Sequence, residues 1–200
     1  MKNRLLNFAA LIGALSVSGP AAADTGWYAA LDVGRHWPGE MTMNPVGDDI
    51  DIGLEGDWSA FVRAGRGLGD NWRVEAELAQ RPGDYSTTYL KFDHGDFIEV
   101  EESGNLDALS IMGNVIYDIA PESSVSPFVG LGVGAVMFEE DYEENNAFAW
   151  QGLAGVSWRL TARISADFTY RYFAAELDST LGNGQVYEDQ AFTVGARYRF

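Results

Sequence analysis

Two histidines, no cysteine, and charged residues of both signs at alternate positions define what chemistry this 200-residue chain could do. His36 precedes Trp37-Pro38 and His94 precedes Gly95-Asp96, so neither has the His-x-Ser spacing that would set a nucleophile beside its imidazole. Both histidines fall in segments expected to be external loops and are read as solvated. Without cysteine there is no disulfide framework, no thiolate nucleophile and no Cys-based metal site. No glycine-rich phosphate loop follows a strand and opens a helix, because the Gly-x-Gly runs lie inside expected strands. Nothing here calls for a cofactor, and catalysis is a poor reading.

Carboxylates are the second resource. Thirty Asp and Glu against thirteen Lys and Arg give a formal net charge of -17, which argues against nucleic acid as a partner. Much of the excess is clustered, in Asp48-Asp49-Ile50-Asp51, in Glu99-Val100-Glu101-Glu102 and in the run from Glu139 to Glu144. Solvation is the first expectation for such clusters. The sharper one is that Glu139, Glu140, Asp141, Glu143 and Glu144 offer hard oxygen ligands to Ca²⁺ or Mg²⁺, although no EF-hand or similar repeat fixes their spacing.

The elements that must position these residues follow a period of two. In Phe192 to Phe200 one face reads Phe, Val, Ala, Tyr, Phe and the other Thr, Gly, Arg, Arg. Trp72 to Leu78 and Ile164 to Tyr172 behave alike. Eight strands are predicted, at 26–34, 57–68, 72–81, 106–118, 127–138, 147–160, 163–174 and 189–200. Their connections alternate between short turns and longer polar loops at 35–56, 82–105, 139–146 and 175–188, the asymmetry of a membrane barrel.

The polar face decides between a soluble and a membrane barrel. Gly130, Gly132 and Gly134 share one side of their strand, where glycine gains nothing in water but makes room in a narrow interior. The same side elsewhere carries Arg63, Arg73, Glu75, Glu77, Gln151, Asp167, Arg171, Arg197 and Arg199. Mixed signs suit an enclosed charge network, of which Arg63, Arg73, Glu75, Glu77, Asp167 and Arg171 are the expected members, since buried charges must be paired. On the apolar face Trp27, Trp72, Tyr117, Trp158, Tyr198 and Phe200 gather near the short turns. Trp58, Phe148, Trp150 and Tyr172 gather near the long loops. Two such aromatic belts mark the interfaces of a bilayer. The fold expected is therefore all-β: an eight-stranded antiparallel up-and-down transmembrane β-barrel.

The N-terminus reads as a targeting segment. Lys2 and Arg4 precede an apolar stretch from Leu5 to Val17 and small residues at Ala21-Ala22-Ala23. That stretch falls short of the roughly 20 residues a membrane helix needs. Residues 1–23 are expected to be a cleaved signal peptide and 24–200 the barrel domain.

Gly26-Trp27-Tyr28-Ala29-Ala30, Tyr170-Arg171-Tyr172-Phe173 and the terminal Tyr198-Arg199-Phe200 resemble the OmpA-like and Opa-like eight-stranded outer-membrane barrels across nearly the whole mature chain. The resemblance implies residence in a Gram-negative outer membrane after export through the periplasm, amid lipid and lipopolysaccharide. It also implies that Tyr198 and Phe200 belong to the signal read by the barrel-assembly machinery. The chain ends at the last strand, so a peptidoglycan-binding domain and a cell-wall tether are not expected. The function expected is a non-enzymatic structural and surface-interaction role, with divalent cations or a host surface ligand at the loops. A small porin-like channel is the alternative, and a lipid-modifying barrel enzyme stands behind it.

Overall fold

The computed structural model describes residues 26–39, 41–43, 50–93, 96–140, 143–177 and 185–200. Every regular element among them is a strand: β1 (Trp27–Pro38), β2 (Met41–Met43), β3 (Ile50–Gly56), β4 (Trp58–Leu68), β5 (Trp72–Arg81), β6 (Gly83–Asp93), β7 (Asp96–Asn105), β8 (Asp107–Asp118), β9 (Val125–Glu140), β10 (Glu143–Arg159), β11 (Ile164–Leu177) and β12 (Gln185–Arg199).

Alternation dictates the closure. β1 turns Tyr28, Ala30, Asp32, Gly34 and His36 to one side and Val33, Arg35 and Trp37 to the other, and its neighbours do likewise. Eight strands join in the order β1-β12-β11-β10-β9-β8-β5-β4, and β4 returns to β1 in antiparallel register. First and last strands meet along Tyr28↔Arg199 to Pro38↔Asp189. Closure leaves no open edge, which hydrocarbon would not tolerate. Orientation is unambiguous: Leu131 is 70 % exposed and Ile111 63 %, whereas Arg63 is 2 % exposed and Asp167 is fully enclosed. Greasy side chains face outward. The outer surface carries both aromatic belts, with Trp72 edge-on to Tyr117 at one rim and Trp150 against Tyr172 toward the other.

Short connections gather at one end, where Gly69, at φ +79°, takes the left-handed conformation that the β4–β5 turn needs. The opposite end differs from the sequence expectation. Parts of 35–56 and 82–105, expected as loops, form strands β2, β3, β6 and β7, a second antiparallel sheet in the order β2-β3-β6-β7. Expected loops 139–146 and 175–188 are likewise shortened from both sides, because β9, β10, β11 and β12 run on into them. β10 has 17 residues, well beyond the roughly 9–11 that a tilted strand needs to cross hydrocarbon. The surplus stands above the membrane. Leu54 and Leu106 pack onto an apolar cluster of Met112, Val136, Phe138, Phe173 and Tyr187, which fills this end of the lumen.

Candidate functional site in the barrel lumen

The lumen has two sectors. β8, β9 and β10 contribute Ile116, Phe128 and Leu153 below Met112 and Val136. Their glycines make the space: a Cβ on Gly132 would stand 1.9 Å from Asn114 Oδ1. β11, β12, β1, β4 and β5 supply the charge, joined by Asp118 at the end of β8. In one cross-strand row Asp167 and Asp32 lie on either side of Gly195. A Cβ on Gly195 would lie 1.7 Å from Asp32 Oδ1, so the bare backbone there lets an arginine from β4, the neighbour of β1, reach past Asp32 to both carboxylates.

That arginine is Arg63. Its Nη2 donates to Asp32 Oδ1 at 2.8 Å and to Asp167 Oδ2 at 2.9 Å, while Nη1 donates to Glu75 Oε1 at 3.0 Å. Arg171 Nη2 donates to Asp32 Oδ2 at 2.6 Å, Nε lies 3.5 Å from Glu77 Oε2, and Nη1 donates to the Thr193 hydroxyl. Arg73 binds Asp118 through two nitrogens, at 2.7 and 2.9 Å, and Glu75 at 2.9 Å. Tyr28 donates to the same Glu75 oxygen at 2.6 Å. Ser157 donates to Asp167 at 2.6 Å and accepts from Arg197 at 2.9 Å. Gln151 ties Glu77 to Asn114. Each of these carboxylates has a guanidinium within ion-pair reach, as charges removed from water require.

Above this layer the seal is made of stacked planes. The Arg171 guanidinium lies 4.2 Å from the Phe61 ring centroid, Arg81 5.1 Å from Phe61 and 4.2 Å from Phe173. Arg81 also reaches Asp189 Oδ2 at 3.2 Å and donates to Ser110 at 2.7 Å. Below, at the short-turn mouth, lies a cavity of about 520 Å³ floored by Tyr28 and Arg73.

All six residues expected to form the charge network are brought together. Sequence reasoning missed Asp32, Asp118, Asp189, Tyr28 and Arg81 as partners, although each continues the inward alternation of its strand. The expectation for His36 is overturned. It is fully buried, with Nδ1 3.1 Å from Asp189 Oδ1 and Nε2 2.6 Å from the Pro82 carbonyl oxygen. The reason is that β1 runs on to Pro38 and keeps His36 on its inner face. Both ring nitrogens address acceptors, so neither is turned to a hydroxyl nucleophile. Arg199 lies at the cavity mouth and is exposed, not enclosed. His94, Asp141 and the proposed signal segment 1–23 lie outside the described residues. Glu139 and Glu140 pair with Glu144 and Glu143 along the β9–β10 backbone. Among the described residues no group of three or more His, Asp or Glu is placed to hold a metal ion. Tyr198 and Phe200 stack edge-on, with centroids 5.4 Å apart, on the outer wall beside the short turns.

Comparison with known proteins places this architecture. Uncharacterized proteins of Brucella abortus (strain 2308) and Brucella suis biovar 1 (strain 1330) are each 24% identical over 214 residues, covering 86% of this chain and 74% of theirs. Among solved structures, the fold is shared with neisserial surface protein A, at a TM-score of 0.55 and 18% identity over 90% of this chain and all of that one. It is shared with the outer membrane protein OprG of Pseudomonas aeruginosa, at 0.60 and 14% over 90% and 98%. The outer membrane protein AlkL in lipid bilayers gives 0.58 and 17% over 92% and 94%. The family model for the outer membrane protein β-barrel domain matches residues 8–200. This chain belongs to that family, and its place is the bacterial outer membrane.

Proposed function

We propose that the chain is a non-enzymatic outer-membrane scaffold, a plugged barrel that supports envelope integrity and holds an acidic, β-structured rim toward other surfaces. The observation that carries this reading is the lumen. An ion-paired layer around Arg63 and a stack of Arg171, Phe61, Arg81 and Phe173 lie across it in succession. Eight strands leave space for little more than side chains. A wall this heavily cross-linked suits a rigid support for the sheet formed by β2, β3, β6 and β7. Residues 1–23 direct export through the periplasm, and the assembly machinery reads Tyr198 and Phe200. On the rim, divalent cations bridge carboxylates such as Glu139, Glu140, Asp141, Glu143 and Glu144 to lipopolysaccharide or to a host surface. Calcium should then slow proteolysis of the rim, and an unchanged cleavage rate removes the bridging role.

Single-channel recording in planar bilayers tests the plug. The purified protein should show no steady conductance. A second reading, a narrow ion path opened by rearrangement, draws on Glu77 Oε2, Asn114 Nδ2 and Gln151 Oε1, which are buried without a hydrogen-bond partner. Long-lived open levels would replace the scaffold with that channel.

A further inference from the structure

Four arginines, Arg73, Arg159, Arg197 and Arg199, line the cavity at the short-turn mouth against Asp70, Asp118 and Glu122, a small positive excess in a strongly acidic chain. Arg159, Ser165 and Arg197 are consecutive partners in one cross-strand row over β10, β11 and β12. With neighbouring strands about 4.8 Å apart, the two arginine backbones stand roughly 10 Å from each other with a small hydroxyl residue between. Arg199, two residues along the same face of β12, lines the same cavity. Acidic side chains also line it, and Asp118 among them is held by two nitrogens of Arg73. Arg197 is nearly buried; its Nη2 donates to Ser157 and lies 3.4 Å from Asp167, and its guanidinium stands over the Tyr28 ring at 5.3 Å. Arg159 gives one nitrogen to the Pro121 carbonyl oxygen. The row keeps guanidinium donors in surplus, and the cavity is large enough to admit a small molecule.

The geometry points to an anion site here: Arg159, Arg197 and Arg199 clamp a phosphate group entering from the short-turn side, with Ser165 at the centre of the clamp. Guanidinium and phosphate match as planar, multiply hydrogen-bonded partners. The Tyr28–Arg73–Glu75 layer closes the floor, so the ligand is held at the mouth and does not pass through.

The test uses the folded chain in a phosphate-free, uncharged detergent, followed by amide NMR shifts of residues 157–165 and 197–199 during titration with inorganic phosphate. Sulfate at equal ionic strength is run as control. A parallel arm compares phosphatidylcholine nanodiscs with and without phosphatidylglycerol. Saturable shifts with inorganic phosphate identify a soluble phosphate ligand, and shifts confined to the phosphatidylglycerol arm identify a lipid headgroup. Both support the site. The double substitution Arg159→Gln, Arg199→Gln spares the buried network and should weaken binding by about tenfold or more, as expected for lost charge-assisted hydrogen bonds. Arg66→Gln, at the same rim but with its guanidinium over the Trp27 ring, should leave binding unchanged. No saturable shift in either arm, equal shifts with sulfate, or equal binding by the double variant would overturn the proposal.

Discussion

Arg63 contacts three carboxylates contributed by three different strands, so its loss exposes the logic of the lumen. Arg63→Ala should destabilise the barrel by about 3–5 kcal/mol, since removing one partner strands buried charge. Denaturant unfolding in detergent or lipid measures it, and a change below about 1 kcal/mol would show that these pairs carry little energy. Gly195→Ala tests the same layer without touching a charge. Its methyl must displace Asp32, so the variant should unfold at lower denaturant than Gly152→Ala, where an added Cβ meets nothing within 4 Å. At this scale the sequence was legible wherever alternation was unbroken. Arg63, Arg73, Glu75, Glu77, Asp167 and Arg171 all sit on clean period-two strands. His36 was not legible, because Arg35 interrupts the apolar face of β1 and makes the strand look finished. Trp37, facing outward one step on, was the signal that it continues.

The eight barrel strands could be read from sequence because each has one face in hydrocarbon and one in a crowded lumen, which forces a regular alternation. Strands β2, β3, β6 and β7 have no such constraint above the membrane: β6 and β7 do not alternate cleanly, and in β2 and β3 the alternation is confined to three and seven residues beside an acidic cluster. The cues were Ile50, Ile52 and Leu54 alternating with Asp51, Gly53 and Glu55, and Tyr85-Ser86-Thr87-Thr88-Tyr89, rich in residues that favour strands. Since the barrel closes without this sheet, replacing residues 86–103 by an Asn-Gly turn should leave the barrel intact. Unboiled protein should still migrate differently from boiled protein on gel electrophoresis. Loss of that difference would make the outer sheet part of the barrel's folding unit.

Across the whole molecule, charge is sorted by location. The described lumen pairs Asp32, Glu75, Glu77, Asp118, Asp167 and Asp189 with Arg63, Arg73, Arg81, Arg171 and Arg197, so the net charge of -17 comes almost wholly from outside it. The terminal aromatic pair sits on the outer wall, open to contact during assembly. If that pair is the assembly signal, Phe200→Ala should reduce the folded species recovered in outer-membrane fractions while leaving refolding in detergent unchanged. Equal recovery would remove the signal role. The claim beneath all of this is orientation, and nitroxide labels at Ile111 and Leu131 test it most directly in bilayers. Both labels should collide freely with oxygen and be shielded from a water-soluble nickel complex. Labels shielded from oxygen and open to nickel would contradict the assignment.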